Sequence, residues 1–544
     1  MNPLRLIFRE QATRALTCLL ALALLGLSPA AAIEIVRTSP YGVTEAVDLS
    51  QEDGKLVLGL DQAILLALRN NLGLQVERYR RASAYEAIRR NLGIFDLLLS
   101  VNLSAFDETS PSASALDGSD LRINEGQRLD LQLDQLLPSG GRITFDWDNS
   151  RGESNSFFSG INPNFSVDMD VVFSQPLLRG LGKNATKRGL LIARSNSDIS
   201  LETLSLRIVD TISEVEGTYW SLVESRQQLE VTLESLALAE NLHRMNKVQV
   251  EVGTMAPLEL TQSEVGVAVR EEAVLRAELL VGDTGDRMRQ LLNLEEGRLW
   301  TIEILPTTDP LTERIVLDVD KSILIALQSR SELRQQNLTI HNLEIESEFQ
   351  RNRTRPQLDF QVRYGYNGLG GDVIIRENIF DPGSPVITIP GGYRDALEQV
   401  FDLQFRGWSS GFVFGVPIQN REARASSVMA DMSLEEGRVI LEDLELQVKT
   451  GVRRTVRGVQ MAAKAIDLAT ISRQLEEKNL DATQKRYENG LATSFQVLEI
   501  QEDLSEARSR EVTSITGYRR ALILYYIATG KLLEENGVQL DDSR

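Results

Sequence analysis

The sequence has 544 residues, of which 42% are hydrophobic and 25% are charged, a balance typical of folded proteins. Its 58 Lys and Arg against 78 Asp and Glu give a net charge of -20, which argues against a role in binding nucleic-acid phosphates. One cysteine, Cys18, and two distant histidines, His243 and His341, exclude an intrachain disulfide and a metal centre rich in Cys or His. Because neither a P-loop nor a G-x-S-x-G motif is present, we expect no catalytic residues, no metal site and no cofactor.

The N-terminal segment has the three-part form of a secretory signal peptide. Three arginines precede an apolar run over residues 15–27, and the small residues Ala30-Ala31-Ala32 follow it. This run of about 13 residues is too short to span a hydrocarbon core about 30 Å thick. We therefore predict cleavage after Ala32, with 1–32 as the signal peptide and 33–55 as an N-terminal extension. No later apolar run is long enough for a transmembrane helix, so any membrane-embedded part must consist of strands.

Two parts of the chain carry the same landmarks in the same order. Leu60–Leu68 matches Val319–Leu327, Ser174–Leu177 matches Gly415–Ile418, and Glu251–Thr254 matches Glu488–Leu491. We interpret this order as an internal duplication. The predicted boundaries are repeat 1 at 56–294, a linker at 295–314, repeat 2 at 315–533 and a C-terminal tail at 534–544.

Each repeat contains a very long stretch with helical spacing. Apolar residues recur every three or four positions in both repeats, as in Leu204, Ile208, Ile212, Val215, Tyr219 and Leu222, and in Leu444, Val448, Val452 and Val459. These patterns predict helices over 183–252 and 421–489, each roughly 100 Å long. Gly253 and Gly490 supply the left-handed conformation that ends a helix, so return helices are expected over 257–292 and 494–529. The hairpin tips then lie at 252–254 and 489–491.

The segments ahead of the long helices alternate between apolar and polar residues. Strands are predicted at about 97–175 in repeat 1 and 357–417 in repeat 2. The alternating apolar positions include Leu99, Val101 and Leu103; Leu129, Leu131 and Leu133; Ile143, Phe145 and Trp147; Val167, Met169 and Val171; and Phe401, Leu403 and Phe405. Alternation alone fits both a soluble sandwich and a membrane barrel. In a barrel several chains must contribute strands, because one repeat cannot close it and an open edge is not tolerated in lipid.

The chain resembles the TolC-like outer-membrane efflux protein family over nearly its whole mature length. The resemblance is carried by Ser174–Gly182, at the strand-to-helix junction, and by the two tip sequences Val250–Leu258 and Arg486–Leu498. It implies a mostly α-helical homotrimer whose duplicated hairpins form an α-barrel continuous with a shared β-barrel in outer-membrane lipid. Family members are passive exit ducts of tripartite efflux or secretion systems. The implied partners are a periplasmic adaptor and an inner-membrane transporter, and the implied location is the outer membrane, extending into the periplasm.

The resemblance also implies roles for individual residues. Val252, Gly253, Thr254, Asn489, Gly490 and Leu491 would form the adaptor-docking tips, although the glycines also simply end helices. Tyr487 and Glu259 would help to lock the closed entrance, and ordinary helix packing is the alternative for Tyr487. Gln496 and Glu499 match a pair of pore-facing acidic residues. Gln496 departs from that pattern, and Ala492 stands where a gating arginine could lie, which puts the gate network in doubt.

Two other functions fit parts of the sequence. A periplasmic adaptor also has long helical hairpins, but it has one hairpin flanked by compact β-domains. A structural coiled coil of the cell envelope would need neither the duplication nor the alternating strands. The number of strands stays open, because repeat 1 offers four alternating stretches where the resemblance implies two. The extra stretches could form a bent continuation, an extracellular hairpin or additional barrel strands.

Overall fold

The computed structural model describes residues 51–52, 55–112, 120–294, 298–310, 313–378 and 384–538. The predicted signal peptide, with Cys18, lies outside the described residues, as do most of the N-terminal extension and the end of the C-terminal tail.

The described chain is mostly helical, and its two halves contain similar series of elements. The first half contains β1 (Gln51–Glu52), β2 (Lys55–Leu58), α1 (Leu60–Asn70), α2 (Leu72–Leu92), β3 (Leu98–Pro111), β4 (Leu121–Leu136), β5 (Arg142–Ser154), β6 (Ile161–Pro176), α3 (Lys183–Glu251) and α4 (Pro257–Leu292). It is followed by α5 (Arg298–Thr301) and β7 (Ile304–Pro306). The second half contains α6 (Val319–Ser329), α7 (Ser331–Arg353), β8 (Gln357–Arg376), β9 (Val386–Ile389), α8 (Tyr393–Phe401), β10 (Arg406–Gly415), α9 (Arg421–Glu488), α10 (Ser494–Thr529) and α11 (Leu532–Glu535).

The predicted long helices are confirmed. Helices α3 and α9 contain 69 and 68 residues, and each is followed by a return helix of 36 residues, α4 or α10. The apolar stripes lie on the helix faces that pack against neighbouring helices. Leu204, Ile212, Val215 and Tyr219 are buried in α3, and Val448 and Val452 are buried in α9. The return helices are about half as long as the helices they follow. The other half of α3 therefore packs against α2 and α7, and the other half of α9 packs against α7.

Buried tyrosines fix the segments before and between the hairpins onto the helices. The Tyr219 hydroxyl donates to the carbonyl oxygen of Leu58 at 3.1 Å and accepts from the Thr308 amide at 2.9 Å. These bonds attach the small sheet formed by β1, β2 and β7 to α3. In the second half, the Tyr518 hydroxyl of α10 donates to the Glu313 carbonyl at 3.0 Å.

The remaining strands form one antiparallel sheet in the order β10-β8-β6-β5-β4-β3, with short β9 paired to the far end of β8. The four alternating stretches of repeat 1 are thus four neighbouring strands of a single sheet. The hairpin β4–β5 continues the same ladder, with Leu131 opposite both Val101 and Trp147. Of the alternatives left open by the sequence, the structure supports additional strands.

One predicted strand is wrong. Phe401, Leu403 and Phe405 do not alternate along a strand, because Phe401 ends α8 and Leu403 has a positive φ of 58°. Helix α8 packs on the sheet through Ala396 and Val400, which contact Val167 in a small core. The strand of this region, β10, begins only at Arg406.

The sheet joins the helices at the segment Ser174–Gly182. The Arg179 guanidinium donates to Gln357 Oε1 at 2.7 Å, and the Gly180 amide donates to Asn352 Oδ1 at 2.7 Å. Gly180 and Gly182 have φ values of 83° and 107°, which are left-handed conformations that favour glycine. The junction thus connects the end of β6 to the end of α7 and the start of β8.

Candidate functional site

Both hairpin tips have the same backbone geometry. At the first tip the Thr254 amide donates to the Gln249 carbonyl, and the Gly253 amide donates to the Val250 carbonyl. This pair of bonds is a Schellman motif, which requires a left-handed residue, and Gly253 supplies it with φ 78°. The predicted conformation of the tip glycine is confirmed.

The second tip repeats the motif and adds a helix cap. Leu491 donates to the Arg486 carbonyl, Gly490 donates to the Tyr487 carbonyl, and Gly490 has φ 71°. The return helix α10 then starts with a capping box, in which the Gln496 side chain accepts from the Thr493 amide at 3.1 Å. Gln496 therefore caps a helix at the position where the family resemblance implies an acidic group.

Large apolar side chains are exposed at both tips. Val252 and Leu491 are 68% and 70% exposed, and Leu258 and Phe495 are 66% and 59% exposed. Leu258 and Phe495 occupy equivalent positions, five residues after the tip glycines. Exposed apolar groups at matching places are typical of a contact surface. The sequence interpretation missed Leu258 and Phe495, although the tip alignment already paired them.

A buried hydrogen bond joins the two hairpins near the tips. The Tyr487 hydroxyl of α9 donates to Asn246 Oδ1 of α3, and both side chains are buried. Burial raises the pKa of the Tyr487 hydroxyl, so the phenol stays protonated and remains a donor at neutral pH. Leu242 and Val497 form a small apolar core with the tyrosine ring.

Glu259 binds a different residue from the one that the resemblance implies. Its carboxylate accepts from the Ser494 hydroxyl and from the Ser494 amide, the latter at 3.3 Å. The carboxylate of the first hairpin thus lies at the start of α10, where helix N-terminal amides favour negative charge. Asn246 and Ser494, the direct partners of Tyr487 and Glu259, carried no signal in the sequence because each is far from its partner along the chain.

A buried arginine strengthens the same region. Arg270 of α4 is 6% exposed, and its guanidinium donates to Ser235 Oγ at 3.0 Å, to the Gly266 carbonyl at 3.1 Å and to the Leu498 carbonyl at 3.2 Å. These bonds connect α3, α4 and α10. Glu499, the next residue of α10, is exposed.

At the other end of the long helices, the sheet has one apolar and one acidic face. The apolar face is a continuous array of cross-strand neighbours with exposed members: Leu99, Val101, Leu103, Ile143, Val171, Tyr364, Trp408 and Phe412. Trp408 is 71% exposed and Phe412 is 66% exposed. Contiguous exposed apolar side chains of this kind are typical of a surface that contacts lipid or another protein.

The opposite face carries a cluster of carboxylates: Asp130, Asp146, Asp148, Asp168 and Asp170. Arg363 forms an ion pair with Asp170, and Asn367 donates to Asp168 at 2.8 Å. Helix α8 packs against the apolar face, where the Phe401 ring meets the Trp147 ring edge-on at 6.0 Å. Helix α8 thus covers part of the apolar face, and the acidic face lies on the other side of the sheet.

None of the helices in the described ranges has the length and apolarity needed to cross a bilayer. Within the same ranges, no group of three or more His, Cys, Asp or Glu side chains is arranged to bind a metal ion.

No family model and no curated protein matches the chain. Solved structures do match it. The outer membrane channel CmeC of Campylobacter jejuni has a TM-score of 0.62 and 14% identity, over 89% of this chain and 90% of that one. The outer membrane protein VceC of Vibrio cholerae has a TM-score of 0.61 and 14% identity, over 87% and 96% of the two chains. The open-state outer membrane channel MtrE of Neisseria gonorrhoeae has a TM-score of 0.56 and 12% identity, over 87% and 88%. The resemblance drawn from the sequence is thus confirmed, and the chain has the fold of TolC-like outer-membrane channels.

Proposed function

We propose that three copies of this chain form an outer-membrane channel that serves as the passive exit duct of a tripartite efflux or secretion system. The observation that carries the proposal is the sheet, whose apolar face is exposed while its other face is acidic. Lipid on the apolar side and water on the acidic side satisfy both faces. The structural neighbours that are described as outer membrane channels support the same assignment.

The edges of the sheet support an assembly of several copies. Within the described ranges, β3 and β10 each have a strand partner on one side only. Open edges are not tolerated in hydrocarbon, and one chain has too few strands for a membrane barrel, which contains at least about eight. Copies of the chain must therefore complete the barrel, and the duplicated hairpins of three copies would form the α-barrel beneath it.

The long helices suit a duct that extends from the outer membrane into the periplasm. Helix α3 rises roughly 100 Å between the sheet junction and the first tip. The tips present Val252, Leu258, Leu491 and Phe495 to a partner. We assign these residues, with Gly253, Thr254, Asn489 and Gly490, to docking on a periplasmic adaptor that is coupled to an inner-membrane transporter.

The hydrogen bonds near the tips suit a closed entrance. Tyr487 binds Asn246 and Glu259 binds Ser494, so both bonds hold the hairpins of one chain together. Opening the entrance would separate the hairpins and break these bonds. Glu499, exposed one turn further along α10, would place a ring of three carboxylates near the entrance and favour cations there.

Neither alternative accounts for the sheet. A periplasmic adaptor or a structural coiled coil would leave the apolar face, with Trp408 and Phe412, exposed to water. No observation on the described residues favours either function over the channel.

Cell fractionation followed by bilayer recording tests the proposal. We expect the full-length protein, expressed in a Gram-negative host, to sediment with the outer membrane, to begin at Ile33 after processing and to conduct ions in planar bilayers. A soluble periplasmic protein that leaves bilayers non-conducting would contradict the channel.

A further inference from the structure

The sheet contributes six long strands per chain, and its two edge strands are β3 and β10. The order from β3 to β10 is antiparallel at every step, so β3 and β10 run in opposite directions. The β10 strand of one copy could therefore pair with β3 of the next copy in an antiparallel ladder. The register of this ladder decides which residues of β3 and β10 lie opposite each other. The positions of the apolar residues on the exposed face indicate that register.

The apolar band crosses the sheet at an angle to the cross-strand rows. One row, perpendicular to the strands, contains Val101, Leu131, Trp147, Met169, Tyr366 and Arg406. It begins in the middle of the apolar stretch of β3 and ends at a charge on β10. On β10 the apolar residues of this face are Trp408, Phe412 and Phe414, and Phe412, the middle one, lies six residues beyond Arg406. The band is thus displaced by about six residues across the sheet.

This displacement is what strand tilt in a barrel produces. Six residues of about 3.4 Å over the five spacings of about 4.8 Å between β3 and β10 correspond to a tilt of about 40°. Strands in membrane barrels tilt by about 35–45° from the barrel axis. The sheet of one chain therefore already has the stagger of a closed barrel.

We propose that three copies close an eighteen-stranded barrel in which β3 of each chain pairs with β10 of the next, with Val101 opposite Phe412. The inference rests on the proposed trimeric channel and adds its strand number and subunit interface. The same register places Leu99 opposite Phe414 and Asp107 opposite Arg406. Within the described residues neither Asp107 nor Arg406 has an ion-pair partner, and the new pairing joins them.

A slip by two residues would lose this match. It would place Arg406 opposite Ala105 or Thr109, and Phe412 opposite Leu99 or Leu103. Opposite charges that face each other across strands stabilise a register, so the Asp107–Arg406 pair selects one of the three.

The hairpin β4–β5 adds the two strands per chain that make the proposed barrel larger than the one implied by the family resemblance. The family resemblance implies two strands per repeat, whereas repeat 1 supplies four. Barrels of 16–18 strands leave an aqueous channel. The acidic face of β4, β5 and β6, including Asp130 and Asp148, would then line a wide water-filled lumen.

Disulfide crosslinking tests the interface directly, because Cys18 is the only cysteine and lies in the predicted signal peptide. In Val101→Cys with Phe412→Cys, oxidation of outer-membrane vesicles should shift the protein on denaturing gels from monomer to dimer and trimer mass. Reduction should reverse the shift. Each single variant should stay monomeric on the same gel.

Three further double variants fix the interpretation. The first combines Leu103→Cys with Leu129→Cys, two positions that lie directly opposite each other within one chain. Its disulfide should form inside the monomer and leave the mass unchanged, which shows that the oxidant reaches this part of the sheet. Leu103→Cys with Phe412→Cys represents the slipped register and should crosslink far less. Asp107→Cys with Arg406→Cys samples the proposed register at the other end of the interface and should crosslink like the first pair.

The outcomes separate this inference from the proposed function. A native trimer in the outer membrane that crosslinks through neither 101–412 nor 107–406, while the 103–129 control oxidises, would overturn the eighteen-stranded closure and leave the channel standing. Preferential crosslinking of 103 with 412 would overturn the register. A native monomer would contradict the channel itself.

Discussion

The hydroxyl of Tyr487 donates a buried hydrogen bond to the side chain of Asn246, 241 residues away along the chain. The bond joins the two long helices close to their tips, where Val497 of α10 packs in one small core with Leu242 of α3 and with the tyrosine ring.

Replacing Tyr487 by Phe removes the donor and leaves a buried Asn246 oxygen without its partner. We expect a cost of about 1–2 kcal/mol that is confined to the tips. Hydrogen exchange of amides in 240–262 and 484–500 should accelerate, while the sheet stays unchanged. Tyr85→Phe, at an exposed position, is the matched control. If Tyr487→Phe and the control exchange alike, the bond does not hold the hairpins together.

The tip glycines should tolerate asparagine better than alanine. Gly253 and Gly490 have left-handed φ values, and the left-handed conformation costs an alanine about 1–2 kcal/mol. Asn adopts this conformation more readily, so Gly253→Asn should retain the tip while Gly253→Ala distorts it. Adaptor binding by the two variants, measured by surface plasmon resonance, reports the difference. Equal loss in both would mean that the glycine surface itself matters rather than the turn.

Leu258 and Phe495 should contribute to docking, although neither was among the predicted tip residues. Burying such a side chain contributes about 1.5–3 kcal/mol, so Leu258→Ser or Phe495→Ser should weaken binding to a purified periplasmic adaptor from the same organism at least about ten-fold. Leu475→Ser removes a similarly exposed leucine from α9, 13 residues before the end of that helix, and serves as the control. Equal affinities for all three variants would exclude these residues from the docking surface.

Glu499 should influence ion selectivity if it faces the pore. Glu499→Gln removes three carboxylates from the trimer, so the reversal potential in a salt gradient should move toward that of a less cation-selective channel. Glu272→Gln, at an exposed position that is paired with Arg276, is the control for a general change in charge. A reversal potential that responds to both substitutions equally would place Glu499 outside the permeation path.

Removing the charge of Glu216 should increase the stability of the fold in a pH-dependent way. Glu216 is buried in α3, where it accepts from Asn536 Nδ2 at 2.7 Å, and burial raises the pKa of its carboxyl despite this bond and the nearby Arg519. Because the folded pKa lies above the unfolded value of about 4.3, stability falls as the pH rises from the unfolded to the folded pKa.

Glu216→Gln keeps the acceptor without the charge. We expect it to raise the stability at pH 7 and to have little effect near pH 3.5, where the carboxyl is mostly protonated in both states. Thermal unfolding in detergent at the two pH values measures this difference. Glu214→Gln, at an exposed neighbour paired with Arg287, should show no gain at pH 7. An equal gain at both pH values would rule out burial of the charge as the cause.

The helical part of the fold could be predicted from the sequence because its signals are local and repeated. The stripe from Leu204 to Leu222 extends over many turns, and Gly253 and Gly490 mark helix ends by a backbone requirement. Alternation was a weaker signal. Three apolar residues at 401, 403 and 405 looked like a strand, but Ala396 and Val400 have helical spacing and pack against Gly368 and Val167.

The candidate site could be predicted only in part, since its contacts are distant along the chain. Tyr487 and Glu259 were named through the resemblance, but Asn246 and Ser494 became visible only when the hairpins were folded together. The pairing of β6 with β8 is equally non-local, because it joins the two repeats. The periodicity of a single segment does not indicate which distant segment it pairs with.

The mass of the native assembly shows whether copies of the chain share one barrel. The full-length protein should be extracted from the outer-membrane fraction in mild detergent and measured by light scattering with the detergent contribution subtracted. A barrel shared by three copies predicts the mass of three processed chains, because the six long strands of one chain cannot close a barrel in lipid. A monomer in the same measurement would contradict the shared barrel and the duct that depends on it.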